Sequence, residues 1–116
     1  MKENKFIKNY IYNLNKTLLN VDGTKLIRFK NIILDKINRQ KNIYVCGNGG
    51  SSSVSNHFLC DYSKNIKHSL KTKKLKPKVI SLSANLDLIT AIANDTAYEN
   101  IFSDQLENFA KEGELL

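Results

Sequence analysis

The sequence predicts an α/β fold built on a parallel sheet. Two short apolar runs rich in β-branched residues, 42–46 and 79–82, predict buried strands, and a helical pattern of apolar residues lies between them. A third run, 114–116, predicts the opening of another strand. Because strand, helix and strand follow one another in this order, we expect a right-handed crossover between parallel strands.

Two amphipathic helices precede the first strand. The first spans residues 4–20, and the second is expected to be capped by Thr24 and to end near Arg39. We predict a helical hairpin over residues 1–40, followed by the α/β unit over 41–116. The apolar stripes either complete the core of the chain or meet the same helices in another subunit, and we favour the second use. The stripe residues are Ile7, Tyr10, Ile11, Leu14, Leu18 and Leu19, then Leu26, Phe29, Ile33 and Ile37.

Two further helices are predicted after the second strand. The first spans 86–93, Asn94-Asp95 interrupts the pattern, and the second spans 98–111 and is closed by Gly113. Parallel sheets are covered by helices on both faces and contain several strands. Two strands and a fragment fall short of that, so we expect the chain to be the N-terminal part of a larger domain.

The charge is unevenly distributed. Residues 1–78 have a net charge of +13 and residues 79–116 one of −6, which together give the formal +7. This asymmetry favours an anionic ligand, self-association or nucleic acid. The lysine-rich segment 64–78 lacks the interleaved aromatic residues of a nucleic-acid site, so we predict a solvated loop there and disfavour a nucleic-acid partner.

The composition predicts a cytoplasmic protein. No apolar run reaches the 18 or so residues of a membrane span, and the N-terminal residues do not resemble a signal peptide. Cys46 and Cys60 show neither metal-site nor disulfide-scaffold spacing. We therefore expect both thiols to be reduced and buried.

A glycine and serine run at the end of the first strand is the strongest functional signal. Residues 47–53 read GNGGSSS, and such a junction directs backbone N–H groups and a helix N-terminus at an anion, most often a phosphate. A Walker A loop would need a following lysine, and a dinucleotide loop would need glycine at Ser52 and an acidic residue near Ser83-Ala84-Asn85. The alternative is a glycine turn capped by Ser51 or Ser52 that binds no ligand.

His57 and Asp61 form the second candidate site. They lie four residues apart on the predicted helix, hence on one face. Such a pair can bind a metal ion or share a proton. The alternative is a surface aspartate beside a histidine with a local hydrogen bond.

These motifs resemble those of phosphoheptose isomerases and their close relatives with a sugar isomerase (SIS) domain. The resemblance rests on GNGGSSS, His57-Phe58, Ala93-Asn94-Asp95 and the run 99–103, and it covers essentially the whole chain. It implies a flavodoxin-like three-layer fold and a homotetramer with active sites between subunits. It further implies that a sugar phosphate is held by Asn48, Gly49, Gly50 and Ser51, and that Asp95 contacts the substrate hydroxyls unless it caps the segment from Thr96.

The resemblance also implies a catalytic role for the helix face. In the family, a histidine and a glutamate there help to bind zinc, and the glutamate is the base of the isomerisation. Asp61 stands at the glutamate position, one methylene shorter, so His57 and Asp61 are the implied zinc ligands and Asp61 the implied base; no other cofactor is implied. The alternative is a non-catalytic SIS protein that binds a sugar phosphate or a protein partner.

Overall fold

A computed structural model describes residues 2–66 and 75–116, which leaves most of the predicted lysine-rich loop outside the described residues. The chain divides into two compact units, up to Asn31 and from Ile32 onward. Within the described ranges, no helix combines the length and the apolar character needed to cross a membrane. The elements are α1 (Lys2–Leu19), α2 (Gly23–Asn38), β1 (Asn42–Val45), α3 (Gly50–Cys60), a π-helical turn (Asp61–Asn65), β2 (Lys78–Ser81), α4 (Leu86–Asp95), a 3₁₀ turn (Tyr98–Asn100) and α5 (Ser103–Phe109).

The first unit contains α1 and the beginning of α2. Asp22 caps α2, because its Oδ1 accepts hydrogen bonds from the backbone amides of Thr24 at 2.9 Å and Lys25 at 3.3 Å. The prediction that Thr24 is the cap is therefore wrong. No residue of α1 is buried, and its predicted apolar stripe lies exposed along the helix. The pairing of α1 and α2 as a hairpin remains a prediction.

The core of the second unit lies between α2 and the sheet. Ile33 and Ile37 of α2 pack with Ile43 of β1 and Val79 of β2, and each of these side chains is at most 7% exposed. Burying an aliphatic side chain of this size contributes about 1.5–3 kcal/mol to stability. The second half of the α2 stripe thus completes the core of the chain.

The sheet is parallel, as predicted. β1 pairs with β2 in the register Asn42 to Lys78 through Val45 to Ser81. On its other edge β1 meets Leu115, since the Tyr44 amide donates to the Leu115 carbonyl at 2.8 Å and the Leu115 amide to the Asn42 carbonyl at 3.1 Å. The segment 114–116, called the third strand below, therefore lies parallel to β1 through an isolated bridge between Ile43 and Leu115, and β1 lies in the middle.

This strand order determines where a ligand is expected to bind. β2 lies on one edge of β1, and the third strand lies on the opposite edge. The two connections therefore run in opposite directions across the sheet, and right-handed crossovers place their helices on opposite faces. The connections diverge at the carboxyl end of β1. Open α/β sheets bind ligands at such a switch point, which here is the glycine and serine run.

The C-terminal helical region differs from the prediction. Instead of one helix over 98–111, a 3₁₀ turn and the short α5 are separated by Ile101 and Phe102, and the chain is extended again at Ala110. Gly113, with φ at +81°, lies in the turn that leads to the third strand and does not end a helix.

Gln105 connects α5 to the end of β2. Its side chain is 2% exposed, and its Nε2 donates to the carbonyls of Leu82 and Ile101. In Gln105→Met a side chain of similar length leaves the Leu82 carbonyl unpaired, and we expect the free energy of unfolding to fall by about 1–3 kcal/mol. Urea denaturation of the full-length protein measures this, with the exposed Glu107→Met as control. Equal stability of the two variants would contradict the assigned role.

Glu114 fixes the start of the third strand. Its carboxylate accepts from the amides of Lys111 at 2.8 Å and Asn42 at 3.4 Å. Desolvation raises the pKa of Glu114, but these amides, the Tyr44 hydroxyl and the Lys41 charge outweigh it, so the pKa lies below its ordinary value of 4.5. The resulting stability is present above pH 4.5 and is lost as the pH falls through the lower folded pKa.

The acid dependence of this contact can be measured with Glu114→Gln. We expect the thermal midpoint of the wild type to exceed that of the variant near neutral pH, and the difference to shrink below about pH 4 as Glu114 becomes protonated. A difference that stays constant from pH 7 to pH 3 would rule out the charge as its source.

Candidate functional site

The loop between β1 and α3 contains a tight turn that requires glycine. Gly49 has φ 56° and ψ −125°, the conformation of the first central residue of a type II′ turn, and the Ser51 amide donates to the Asn48 carbonyl at 3.0 Å to close it. α3 begins at Gly50 with Gly49 in the cap position and no side-chain cap. The predicted cap at Ser51 or Ser52 is therefore wrong.

Gly47 is held against the segment that follows β2. Its amide donates to Ser83 Oγ at 3.0 Å, and the same hydroxyl donates back to the Gly47 carbonyl at 2.9 Å. A Cβ atom at position 47 would overlap the Ser51 carbonyl. The Gly47 amide is thus used within the protein, and only the later part of the predicted run is open to a ligand.

Three consecutive amides of the loop are free to bind an anion. The N–H groups of Asn48, Gly49 and Gly50 have no hydrogen-bond acceptor within residues 2–66 and 75–116, and all three residues are exposed. Over the same ranges, the hydroxyls of the serines at 51–53 make no hydrogen bond. Because the amides precede the N-terminus of an 11-residue helix, the macrodipole adds partial positive charge.

The segment after α4 meets this loop. The Tyr98 hydroxyl donates to Asn48 Oδ1 at 2.9 Å. Asp95 is the last residue of α4, and its carboxylate accepts from Asn94 Nδ2 at 2.8 Å. No bond from Asp95 to the amides following Thr96 is found in the described part of the chain, so the cap interpretation of Asp95 receives no support.

A buried polar pair orients α3 on the sheet. Ser55 of α3 and Ser81 of β2 are 4% and 5% exposed, and their hydroxyl oxygens lie 2.7 Å apart. Ser81 Oγ donates to Asn56 Oδ1 at 2.7 Å, so Ser55 supplies the proton of the serine pair. With Ser55 directed at the sheet, the helix face of His57 and Asp61 is exposed.

His57 and Asp61 lie side by side on that face. His57 Nε2 is 3.6 Å from Asp61 Oδ2, too far for a hydrogen bond. Together with Ser53, Val54 and Phe58 they line an open concavity of about 460 Å³. The two side chains are thus brought together, as their spacing predicts.

Asp61 also begins the π-helical turn. Its carbonyl accepts from the Ile66 amide, and Asn65 Nδ2 donates to its Oδ1 at 2.8 Å. Single π-helical turns occur frequently at functional sites. One carboxylate oxygen of Asp61 is therefore held by Asn65, while the other faces His57.

The described residues supply two metal ligands at this position. Among them, no group of three or more His, Cys, Asp and Glu side chains could hold a metal ion. Cys46 and Cys60 are free and exposed, so their predicted burial is wrong. Any metal held by His57 and Asp61 needs further ligands from another part of the protein or another copy.

The loop lies at the N-terminal end of α3, and Asp61 lies directly after its C-terminal end. Ten positions from Ser51 to Asp61 correspond to a rise of about 15 Å along the helix. The structure brings Asn48 to the segment after α4 and His57 to Asp61, and Ser53 of the glycine and serine run lines the same concavity as that pair.

The sequence prediction missed three residues at these sites. Ser83 lies two residues after the end of β2, and because neighbouring parallel strands end at the same edge of a sheet, its place beside the loop could have been inferred. Tyr98 and Asn65 carry no sequence signal, since an exposed tyrosine or asparagine has no distinctive spacing.

Comparisons with known proteins give one consistent result. No family model matches the chain. A probable phosphoheptose isomerase of Thermoplasma volcanium is 35% identical over 108 residues, which is 93% of this chain and 53% of the relative. The phosphoheptose isomerase of Clostridium acetobutylicum is 38% identical over 85 residues, 73% of this chain and 41% of the relative. The chain therefore spans about half the length of the curated relatives it matches.

A solved structure shares the fold. The phosphoheptose isomerase of Neisseria gonorrhoeae superposes with a TM-score of 0.77 at 17% identity, over 98% of this chain and 58% of that one. The α/β fold with a parallel sheet, predicted from the sequence, is confirmed. Along nearly its whole length, the chain is similar in sequence to a part of curated phosphoheptose isomerases.

Proposed function

We propose that the protein carrying this chain is an aldose–ketose isomerase that converts sedoheptulose 7-phosphate into a heptose 7-phosphate for cell-surface polysaccharide, in the cytoplasm. The observation that carries the proposal is the set of three free amides at residues 48–50, at the switch point of the sheet. The names of the relatives supply the substrate class.

The loop holds the substrate. The amides of Asn48, Gly49 and Gly50 and the hydroxyl of Ser51 donate to the oxygens of the sugar phosphate, at the positive end of α3. Asp95 accepts from substrate hydroxyls. The loop thus presents hydrogen-bond donors to the anionic phosphate, and Asp95 presents an acceptor to the neutral hydroxyls of the sugar.

Asp61 is the base of the isomerisation. It removes a proton from the carbon next to the carbonyl while the carbonyl oxygen gains a proton from an acid elsewhere in the full protein, which gives an enediol. The hydroxyl on the first carbon then loses its proton as the former carbonyl carbon gains one, which gives the aldose. The aspartate stands where the family has glutamate, so a shift of the helix or of the substrate covers the missing methylene.

His57 and Asp61 fit a zinc ion as two of its ligands. Two ligand atoms on a tetrahedral zinc ion lie about 3.3 Å apart, close to the 3.6 Å between His57 Nε2 and Asp61 Oδ2. A bound zinc ion would supply a Lewis acid for the substrate carbonyl. The remaining ligands would come from outside the described residues.

The active site is shared between subunits. The chain from the reacting carbons to the phosphorus of a heptose 7-phosphate has about seven bonds of roughly 1.5 Å, or about 10 Å in all. The rise of the helix from Ser51 to Asp61 is about 15 Å, from which the length of the Asp61 side chain and of a hydrogen bond at each end of the substrate must be subtracted. We place the active sites between the subunits of a homotetramer, as in the family that the sequence resembles, and the exposed apolar stripe of α1 contributes contact surface.

A turnover assay tests the function. The full-length protein is mixed with sedoheptulose 7-phosphate, with and without added zinc, and formation of the aldose phosphate is followed. We expect turnover in at least one condition. Binding of the sugar phosphate without turnover would favour the second candidate.

The second candidate is a non-catalytic SIS protein that binds a sugar phosphate or a protein partner. Asp61 in place of glutamate is the observation in its favour. Under this alternative the loop still binds the sugar phosphate, and substitutions of Asp61 leave the affinity unchanged.

A further inference from the structure

Tyr98 is the one described side chain that forms a hydrogen bond with the side chain of Asn48. The Tyr98 hydroxyl and Asn48 Oδ1 are 2.9 Å apart, and the bond joins residues 50 positions apart in the sequence. It connects the segment that follows Asp95 to the glycine loop. Both groups are solvent-exposed, so the bond is accessible to a ligand in the loop.

The backbone at Tyr98 is held by a 3₁₀ turn and by the buried residues that follow it. Tyr98 begins the 3₁₀ turn, in which the Asn100 amide donates to the Ala97 carbonyl at 3.0 Å. The turn leads into Ile101, which is 5% exposed and whose carbonyl accepts from the buried Gln105. A tyrosine side chain has only two rotatable torsions, so a fixed backbone leaves its hydroxyl little freedom.

In this structure the Tyr98 hydroxyl is the donor of this bond and the Asn48 amide oxygen is the acceptor. A phenol hydroxyl that donates must meet the amide oxygen, because the amide nitrogen accepts no hydrogen bond. With Oδ1 engaged by Tyr98, the two N–H groups of Nδ2 are left for other acceptors, and Nδ2 has none among residues 2–66 and 75–116. A flipped amide would instead present its oxygen to an anion and repel it.

We infer that Tyr98 is a positioning residue for sugar-phosphate binding: its hydroxyl holds Asn48 so that Nδ2 becomes a donor beside the free amides of the loop. The inference rests on the proposed function of the loop as the sugar-phosphate site. It adds a residue that acts through Asn48 and that the sequence pattern does not reveal.

A double-mutant cycle in the full-length protein tests the inference. The variants are Tyr98→Phe, Asn48→Ala and the double substitution, and calorimetry measures their affinity for sedoheptulose 7-phosphate. Tyr98→Phe removes only the hydroxyl, and we expect it to weaken binding about fivefold in the wild-type background. In the Asn48→Ala background the same change is expected to alter the affinity less than about twofold.

Kinetics and a control separate positioning from general damage to the fold. Tyr98→Phe is expected to raise KM about fivefold with kcat changed less than about twofold, since the bond acts on binding. Tyr12→Phe, at an exposed position of α1, is expected to change neither constant. An equal effect of Tyr98→Phe in both backgrounds, or no effect in either, would overturn the inference.

The same measurements distinguish this inference from the proposed function. If the wild-type protein binds the sugar phosphate without turnover and the double-mutant cycle shows coupling between Tyr98 and Asn48, the inference is supported and the isomerase function is refuted. If the wild-type protein turns over the substrate and the cycle shows no coupling, the isomerase function is supported and the inference is refuted. If neither binding nor turnover is found, both proposals are refuted.

Discussion

Gly47→Ala is expected to abolish sedoheptulose 7-phosphate binding. The added Cβ would overlap the backbone carbonyl of Ser51, which cannot move aside by a rotamer change, and Gly47 is also held on both of its polar groups by Ser83. Forcing an atom into such a contact typically costs 1–3 kcal/mol or more. Displacing the loop would withdraw three amides from the ligand, so we expect affinity to fall at least about 100-fold, measured by calorimetry.

Gly23→Ala is the matched control for this prediction. Gly23 is the first residue of α2, and a Cβ there would meet nothing within 4 Å. Alanine is a better helix former than glycine, so the control should bind normally and be equally or slightly more stable. Unchanged binding by Gly47→Ala would mean that the loop does not require its observed conformation.

Asp61→Asn is expected to lower kcat by about 10²–10⁴-fold while the Kd for sedoheptulose 7-phosphate changes less than about threefold. The substitution keeps the shape and the contact with Asn65 but removes the base. Asp35→Asn is the control, because Asp35 is likewise an exposed helical carboxylate whose side-chain partner lies four residues away, here Arg39 at 3.5 Å. A fall in kcat of the same size in both variants would contradict a catalytic role for Asp61.

Mixing subunits tests whether the site is shared. Asp61→Asn and Gly47→Ala each disable one half of it, so mixed assemblies contain some sites with one intact loop and one intact carboxylate. We expect mixing under conditions of subunit exchange to restore part of the activity that both variants lack. No recovery in assemblies shown to be mixed would indicate that the loop and Asp61 act within one chain.

The strands and the loop could be predicted because they rest on strong local rules. The β-branched runs give β1 and β2 within one residue, and Leu115 pairs with β1 as the run 114–116 predicts. The Gly-Asn-Gly-Gly run contains glycines that can adopt the positive φ of a tight turn, as Gly49 does, and its free amides follow from its place before a helix. Helical spacing alone brings His57 and Asp61 together.

Other features depend on packing that periodicity does not determine. The spacing of Ile101 and Gln105 is compatible with one continuous helix. In the structure both side chains are buried, and a 3₁₀ turn followed by a shorter helix replaces the continuous one. Gly49 occupies the cap position of α3, so the hydroxyls of the serines at 51–53 are not used to cap the helix. The bond between Tyr98 and Asn48 joins distant segments, which only the tertiary fold reveals.

A crystal structure of the full-length protein with sedoheptulose 7-phosphate tests the central claim most directly. We predict that oxygens of the sugar phosphate lie within hydrogen-bond distance, about 2.7–3.2 Å, of the amide nitrogens of Asn48, Gly49 and Gly50. A ligand bound elsewhere with this loop empty, or a loop whose three amides donate to the protein itself, would contradict it.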